Sequence, residues 1–526
     1  MSLPERTGPA GRSATSTSTA GGAFASRWSR VATAFAAGII LGFSLPPYDF
    51  FPAVFAYSAL LVVLMAGEAR VRRRMAERAL LGGVFGFGYH LMGLWWVGAA
   101  FLVDADTFGA LLPLGVIGLP LMLAPFYALA AMLVGLAPRT VAWQAVALAL
   151  AISATDVLRG LILSGFPWNA AGLAFSDFEI LRQNAAFIGM DGLAVPAVLI
   201  GCAPALFFTR GSRWLLMPVG AMLAIMLIAG LARLNSAPVE SANAPRIRIV
   251  QPAVPQADKW AAEHRTEIWQ RLLDLSAPEG AGVADVVIWP ETALPFLYRV
   301  PSLEADEISE AMQWTATLVT GAVELVETET GRRATNSIFV IGPDGQLRGR
   351  YDKVHLVPFG EFLPFAGLMD RLGFRKIVEG TSQFLAGTER APLTIPGLPP
   401  ALPLICYEII FPDVGRTEGI GWIVNVTNDA WFGDTPGPRQ HLRQAQMRAI
   451  EQGVPVVRAA NNGISAVIDT QGHLVGSLAL DEIGFLDARL PPVRASLYPT
   501  LGNGVLFGLW ILGLAALFIA RRMKKA

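Results

Sequence analysis

The distribution of apolar residues divides the chain into two kinds of region. Eight segments are mostly apolar over roughly 18 residues or more, the length needed to cross a bilayer core. These predicted spans lie at about 29–46, 52–68, 79–103, 108–136, 141–164, 185–209, 213–234 and 503–520. Between about 235 and 500, short apolar runs alternate with polar turns. The pattern predicts a polytopic α-helical membrane domain and a large domain outside the membrane.

The region outside the membrane has the pattern of an α/β domain. Runs rich in Val and Ile predict strands at 246–254, 285–291, 317–325, 337–343, 403–411, 422–429 and 454–460. Apolar residues at helical spacing predict helices at 257–277 and 438–453. The stretch 342–345, Gly-Pro-Asp-Gly, predicts a hairpin turn. About 250 residues are enough to bury a core, so this region is predicted to be a domain of its own.

These patterns divide the chain into four parts. We expect a cytoplasmic tail over 1–25, seven membrane helices over 26–235, the extramembrane domain over 236–500, and an eighth helix with a basic tail over 501–526. The first part is rich in Ser, Thr and Gly and poor in large apolar residues. Such composition is typical of disordered segments, so the tail is predicted to be disordered.

Basic residues predict which helix ends face the cytoplasm, because cytoplasmic loops carry an excess of Lys and Arg. The loops after the second and sixth predicted spans are basic, and the C-terminal tail reads RRMKKA. The loops near 46–52 and 103–108 contain no Lys or Arg. Both termini are therefore predicted to be cytoplasmic, with the large domain on the opposite side of the membrane.

Composition agrees with a membrane protein and argues against other classes. Hydrophobic residues make up 53% of the chain and charged residues 16%, unlike a typical soluble domain. The 41 acidic and 41 basic residues cancel, so no general affinity for nucleic acid is expected. The two cysteines, Cys202 and Cys406, cannot form a disulfide framework and lack metal-ligand spacing. We therefore expect neither a metal nor a cofactor.

Two charged residues fall inside the fifth predicted span. Asp156 and Arg159 are three positions apart, so they can face each other on one side of a helix. Charged residues within membrane helices are commonly paired and often functional. The pair is interpreted either as a contact for a lipid headgroup or as a structural ion pair, and the sequence leaves both open.

Three polar residues at predicted strand ends suggest acyl transfer by a thiol. This chemistry needs a nucleophile, a base, and fixed positive charge or N–H groups where the oxyanion develops. Cys406 in LPLICYEIIFP is the only thiol of the domain, Glu291 lies in WPETALP, and Lys353 lies in YDKVHLVPFGEF. Each alone could be an inert core thiol or a solvated charge. In combination they predict a catalytic Glu, Lys, Cys set.

These motifs resemble those of the nitrilase superfamily, in its chain order Glu, Lys, Cys. NVTNDAWFG (425–433) and RAANNGIS (458–465) are similar to its substrate loops. With the flanking helices, the chain over about 29–520 resembles the membrane-bound apolipoprotein N-acyltransferase family. In the membrane part, the segments SLPPYDFFP and SGFPWNAAG are similar to segments of that family. The resemblance implies an αββα sandwich for the extramembrane domain.

The resemblance implies acyl transfer in two steps. Glu291 would deprotonate Cys406, which would attack an ester of a membrane phospholipid such as phosphatidylethanolamine. Lys353 and an N–H near Tyr407 would stabilise the oxyanion. The thioester-bound chain would then pass to the α-amino group of the diacylated N-terminal cysteine of an apolipoprotein. The implied partners are these two substrates and the membrane, and the implied location is the bacterial inner membrane, with the catalytic domain in the periplasm.

The resemblance also implies supporting residues. Glu361 would hold Lys353 in place, and strand alternation would put Glu408 on the face of Cys406, with Tyr407 on the other. Ordinary structural pairing is the alternative for both glutamates. The implied substrate-binding residues are Trp260, Asn425, Asn428, Trp431, Phe432 and Asn461. Core packing is the alternative for the aromatic ones.

Two other functions stay open. A membrane-tethered amidase of the nitrilase type would use the same residues on small amides, but it would have no need of eight spanning helices. A transporter or scaffold would carry a catalytically inactive outer domain, which the complete Glu291, Lys353 and Cys406 set argues against. The sequence favours acyl transfer.

Overall fold

The computed structural model describes residues 26–66, 71–236, 238, 241–297, 304–329, 331–363, 384–412 and 419–523, with the backbone alone described at 71–73. The predicted disordered tail, 1–25, lies outside the described residues.

Helices dominate the described residues up to Asn235 and return at the C-terminal end. Before the extramembrane domain they are α1 Arg27–Gly42, α2 Ala56–Met65, α3 Val71–Leu94, α4 Ala105–Phe108, α5 Leu112–Val134, α6 Val141–Leu161, α7 Glu179–Arg182, α8 Ala185–Gly201, α9 Ala203–Phe208 and α10 Leu216–Asn235. The later helices are α11 Arg265–Ser276, α12 Ala305–Ala311, α13 Pro436–Gln452, α14 Tyr498–Leu501 and α15 Gly504–Met523.

All eight predicted spans fall on helices, and six helical segments of the described chain are long and apolar enough to cross a membrane. These six are Arg74–Leu102, Ala105–Val134, Val141–Leu161, Ala185–Phe208, Arg210–Asn235 and Gly504–Met523. The first two predicted spans are shorter, a helix of 16 residues in α1 and the apolar segment Phe51–Met65. The prolines of SLPPYDFFP separate α1 from α2, because proline has no N–H to donate to a helical hydrogen bond.

Small residues let the membrane helices pack closely around α3. A Cβ on Gly38 of α1 would lie 2.0 Å from the carbonyl oxygen of Phe85, and one on Gly82 would lie 2.5 Å from that of Tyr127 in α5. Such close backbone approach is how helices associate inside a bilayer. Helices α10 and α15 leave most of their apolar residues exposed, as lipid-facing helices do.

Two β-sheets form the extramembrane domain. The strands are β1 Arg246–Gln251, β2 Val286–Ile288, β3 Thr317–Thr328, β4 Gly331–Ile341, β5 Leu347–Asp352, β6 Ala401–Ile405, β7 Trp422–Thr427, β8 Val456–Ala460, β9 Ser465–Ile468, β10 Leu474–Leu478 and β11 Gly484–Arg489. One sheet has the order β11-β1-β2-β3-β4-β5 and the other β10-β9-β8-β7-β6. Strands β1, β2 and β3 are parallel, as are β6, β7 and β8.

The sheets stack face to face, and helices cover their outer faces. Ile249 and Ile288 of one sheet share a buried apolar cluster with Val424 and Val426 of the other. Helices α11 and α12 cover the first sheet, and α13 covers the second. The predicted αββα sandwich is therefore confirmed. The same cluster that holds α13 includes Trp96 and Trp168 of the membrane domain, so α13 lies between the two domains.

The predicted strand over 403–411 is wrong beyond its first three residues. Strand β6 ends at Ile405, and Cys406, with φ +49°, begins a 3-10 turn, Cys406–Ile410. Cys406 and Glu408 therefore do not alternate along one strand. The side chain of Glu408 accepts the N–H of Ile405 at 2.9 Å and stabilises the turn, whereas the apolar residues around it follow the pattern of a buried strand.

Candidate active site

Each residue of the predicted catalytic set lies just beyond the C-terminal end of a strand. Lys353 follows β5, Cys406 follows β6, and Glu291 lies three residues beyond β2. Strands β2 and β5 belong to one sheet and β6 to the other. The nucleophile candidate therefore approaches from one sheet, and the base and the cation from the other.

A tight turn fixes Glu291. The next residue, Thr292, has φ +47°, and Gly321 of β3 passes directly beneath the turn. A Cβ on Gly321 would lie 2.6 Å from the Cα of Glu291, so this close approach requires glycine.

Lys353 and Asn336 hold two carboxylates together. The Nζ of Lys353 lies 3.3 Å from Oε1 of Glu291 and 2.9 Å from Oε1 of Glu361. Nδ2 of Asn336 donates to the same two oxygens at 2.8 and 2.9 Å. All four side chains are buried. Asn336 had not been predicted from the sequence, because its position inside β4 gives no sign of a polar role.

The electrostatics of this cluster separate the roles of its members. Burial would lower the pKa of Lys353, but the carboxylates of Glu361 and Glu291 outweigh it and raise the pKa, so Lys353 is charged. Burial and the nearby Glu291 raise the pKa of Cys406 to about 12, with Lys353 opposing them. At neutral pH Cys406 is therefore a thiol that needs a base, and Glu291 is a carboxylate near enough to act on its pKa.

Glu408 connects the Cys406 turn with the Lys353 loop. Its fully buried carboxylate accepts the N–H groups of Val354 and His355 at 3.0 Å and the hydroxyl of Tyr351 at 2.8 Å. It also accepts the N–H of Ile405, directly before the thiol. One carboxylate thus fixes the backbone on both sides of the site.

Tyr407 reaches from this turn to the membrane domain. Its hydroxyl donates to the carbonyl oxygen of Gly165 at 2.7 Å, and its ring lies against Phe166 and Phe411. The side chain of Tyr407 therefore belongs to the contact between the domains.

The three asparagines predicted to bind substrate are buried and bonded to protein groups. Asn425 donates to the carbonyl oxygen of Leu404 at 3.1 Å and accepts from Arg458 at 2.7 Å. Asn428 accepts from Asn461 at 3.1 Å. The structure thus joins Asn428 to Asn461 and ties Asn425 to the residue two positions before Cys406.

The predicted aromatic residues lie in different surroundings. Trp260 is 47% exposed, and Trp431 is half-buried. The ring of Phe432 packs edge to face on Trp96, with centroids 4.7 Å apart, and also touches Trp168. Phe432 is therefore part of the contact between the domains.

A buried ionic network supports the carbonyl group of Cys406, and the sequence analysis had missed it. Nε2 of His441 donates to that carbonyl oxygen at 3.1 Å, and Nδ1 lies 2.9 Å from Asp429, which pairs with Arg458 at 2.6 Å. Burial opposes ionisation of Asp429, but Arg458 and His441 lower its pKa to about 2. Asp429 lies within the NVTNDAWFG motif. The polar pair Asn428 and Asp429 interrupts a mostly apolar run, and this was the signal in the sequence that could have indicated the network.

Donor atoms of Cys406, Asp429 and His441 lie within 4.8 Å of one another, a spacing that a metal ion could use. The guanidinium of Arg458 already neutralises Asp429, and a cation would have to displace it. The arrangement favours a hydrogen-bond network over a metal centre.

Asp156 and Arg159 form the predicted pair in the membrane domain. Their side chains meet at 3.0 Å, Arg159 also donates to carbonyl groups of Phe166 and Trp168, and Asp156 accepts the N–H of Ala171 at 2.9 Å. These bonds shape the loop that contacts the extramembrane domain, which favours the structural interpretation.

Comparison with known proteins agrees with both parts of this architecture. Residues 246–500 match the Carbon-nitrogen hydrolase family, and residues 37–203 match the family Apolipoprotein N-acyltransferase N-terminal domain. An apolipoprotein N-acyltransferase from Rhodopseudomonas palustris is 42% identical over 90% of this chain and 92% of its own length. One from Brucella suis is 43% identical over 89% and 91%, respectively.

Among solved structures, a CN-hydrolase superfamily protein from Xanthomonas campestris is 20% identical, with a TM-score of 0.35 over 47% of this chain and 91% of its own. The sandwich fold and the family match define a carbon–nitrogen hydrolase domain attached to membrane helices. The chain belongs to the apolipoprotein N-acyltransferase family.

Proposed function

We propose that this chain moves a fatty acyl chain from a membrane phospholipid, through a thioester on Cys406, to the α-amino group of the N-terminal diacylglyceryl-cysteine of apolipoproteins. The observation that carries the proposal is the buried cluster in which Lys353 joins Glu291 and Glu361 beside that thiol. The names of the relatives, all apolipoprotein N-acyltransferases, support the acceptor and the reaction.

In the first half-reaction, Glu291 takes the thiol proton, and the sulfur of Cys406 forms a bond to the ester carbonyl carbon. The ammonium of Lys353 and the N–H of Tyr407 stabilise the oxyanion. The carbon–oxygen ester bond then breaks, and Glu291 returns the proton to the departing glycerol oxygen. The products are a lysophospholipid and a thioester.

In the second half-reaction, the acceptor's α-amino nitrogen attacks the thioester carbonyl carbon. Glu291 takes a proton from that nitrogen, the carbon–sulfur bond breaks, and the proton returns to the sulfur of Cys406. An amide and the free thiol result, so the kinetics are ping-pong. In this mechanism Glu361 keeps Lys353 charged and in place, and Glu408 fixes both loops.

A cavity between the domains supports a lipid donor. It measures about 480 Å³ and is lined by Val354 and Leu356, which follow Lys353, and by Phe411 and Pro412, which follow the Cys406 turn. Its other wall comes from membrane helices α6 and α8. The loops that carry Lys353 and Cys406 thus share this cavity with the membrane domain. The exposed Trp260 and the half-buried Trp431 are proposed to contact acyl chains, and Asn425, Asn428, Asn461 and Phe432 to shape the substrate loops.

The proposed location is the bacterial inner membrane, with both termini in the cytoplasm and the catalytic domain in the periplasm. The distribution of basic residues supports this orientation, because Arg210 and Arg213 before α10, and Arg521 and Arg522 in the last turn of α15, lie at the helix ends opposite those that join that domain. The proposed domain limits are those predicted from the sequence, 26–235, 236–500 and 501–526.

The mechanism predicts a covalent acyl-enzyme. Purified protein incubated with phosphatidylethanolamine alone should gain the mass of one acyl chain on Cys406, removable by neutral hydroxylamine. The Cys406→Ala variant should gain none, and Cys202→Ala, which alters the other thiol, should behave as wild type. Acylation that persists in Cys406→Ala would rule out the mechanism. Ammonia release from small amides, without acyl transfer to a diacylated peptide, would favour an amidase instead.

A further inference from the structure

Lys259 is a buried cation beside the active site that the steps above do not use. It lies in the loop between β1 and α11 and is 3% exposed. Its Nζ donates to the backbone carbonyl oxygen of Glu291 at 2.9 Å. The charged or titratable groups that act on it are the carboxylate of Glu291 and the thiol of Cys406. Lys259 therefore contacts the proposed base directly and lies near enough to the thiol for their charges to interact.

The chain uses lysine sparingly, which makes this position informative. Only five of its 41 basic residues are lysines, and the rest are arginines. The two lysines among the described residues, Lys259 and Lys353, are both buried, and both contact Glu291. Lysine differs from arginine in that burial readily changes its protonation state. Because lysine is rare in this chain, a general abundance of lysine does not explain why two of them contact one glutamate.

Without Lys259, the negative charges of the site outnumber the positive ones. Lys353 is shared by the carboxylates of Glu291 and Glu361, so these three groups carry one negative charge in excess. When the thiol proton moves to Glu291, the negative charge moves to sulfur and then to the oxyanion. A cation close to the base and the thiol stabilises the charge at each stage, and burial strengthens this effect.

We propose that Lys259 is a positioning residue that fixes Glu291 through its carbonyl group, and whose ammonium stabilises the negative charge as it passes to the thiolate and the oxyanion. This inference rests on the acyl transfer proposed above. Burial lowers the pKa of Lys259 to about 8, whereas that of Lys353 is raised and that of Cys406 is about 12. Of these three groups, only Lys259 loses its charge as the pH rises from about 7 to 9.

The test is the pH dependence of thioester formation with phosphatidylethanolamine in detergent micelles, measured by mass in a single turnover. Omitting the acceptor removes its amine, which titrates in the same range. We expect the wild-type rate to fall as the pH rises through about 8. Lys259→Met should react roughly tenfold or more slowly at pH 7 and show no fall near pH 8. Lys259→Arg should keep its charge and show the fall only at higher pH.

Two results would overturn the proposal. One is a wild-type rate in Lys259→Met, and the other is a slower rate that still falls near pH 8 in that variant, since another group would then cause the fall. Arg332→Met, which removes an exposed cation at a distant hairpin, is the matched control and should follow wild type.

Alkylation of Cys406 tests the same cation without a lipid. The rate of iodoacetamide reaction, followed by the mass of the peptide containing Cys406, reports the thiolate fraction. We expect it to be roughly tenfold lower in Lys259→Met than in wild type and Arg332→Met. Equal rates would overturn the proposal. If wild type forms no thioester, the proposed function fails, and this comparison still decides the role of Lys259.

Discussion

The side chain that links the two halves of the candidate active site is Glu408. Removing its charge should disturb both the thiol's turn and the Lys353 loop, because three backbone N–H groups and Tyr351 donate to this one carboxylate. In Glu408→Gln the amide can accept with only one oxygen and brings its own donors against these N–H groups. We expect a loss of about 3 kcal/mol in the free energy of unfolding.

Thermal unfolding in detergent and the rate of thioester formation measure this effect. Acylation should fall with stability, because Glu408 acts on the backbone and not on the substrate. Glu310→Gln removes an exposed carboxylate on α12 and should leave both quantities unchanged. Wild-type stability in Glu408→Gln would contradict the role assigned to the carboxylate.

Single residues differ in how far the sequence predicts their surroundings. Glu291, Lys353 and Cys406 stand in recognisable motifs, and the structure brings them to one site. Lys259 and Asn336 carry no local signal, because their contacts with Glu291 join residues 32 and 45 positions apart. Contacts between distant chain segments depend on the sheet order, which residue patterns do not give.

Among the elements of the membrane domain, helix α8 contains a break in its helical backbone. Gly189 has φ +69° inside this helix, and a Cβ there would lie 2.2 Å from the ring of Tyr498 in α14. Gly189→Ala should therefore cost about 2–4 kcal/mol of unfolding free energy, through backbone strain and the displaced ring.

Gly220→Ala is the control, because a Cβ at this helical position in α10 meets no atom within 4 Å. That variant should unfold at or slightly above the wild-type temperature, since alanine favours helix over glycine. Thermal scans of both variants in the same detergent make the comparison. Equal melting temperatures for Gly189→Ala and wild type would show that the break in α8 tolerates a side chain.

Periodicity predicted most elements because the membrane helices and the buried strands have distinct apolar patterns. Periodicity gave a wrong prediction where one apolar pattern is compatible with two kinds of structure. The run around Cys406 is as apolar as a strand, but Glu408 turns it into a 3-10 turn by binding the N–H of Ile405. The helix predicted from 257 begins its regular part only at Arg265, because the loop before it carries Lys259 to the site.

For the whole molecule, the interface between the domains depends on one face of α13. Gln440, Arg443, Arg448 and Glu451 are spaced to lie along one side of this helix. Arg443 pairs with Asp49 at 3.0 Å and with Asp177 at 3.3 Å, and Glu451 accepts the N–H of Met190 beside the break in α8. The sequence predicted the helix, but the polar residues on this face give no sign that the face is buried.

Gln440 is the residue through which three membrane segments meet this helix. Its Oε1 accepts the indole N–H groups of Trp96 at 3.1 Å and Trp168 at 2.8 Å, and its Nε2 donates to the carbonyl oxygen of Pro46 at 3.0 Å. Gln440→Leu would leave the Trp168 N–H and the Pro46 carbonyl buried without these partners. We expect the unfolding free energy to fall by about 2–4 kcal/mol.

The same variant tests whether docking on the membrane domain matters for the lipid reaction. Thioester formation from phospholipid should fall by roughly tenfold in Gln440→Leu, because positioning errors of about an ångström weaken catalysis strongly. Alkylation of Cys406 should stay at the wild-type rate, because the Glu291 and Lys353 cluster lies in the sandwich itself. Gln270→Leu, at an exposed position of α11, should change neither. Equal losses of alkylation and acylation in Gln440→Leu would instead mean that the substitution disrupts the catalytic domain, and the interface would then have no separate role in lipid delivery.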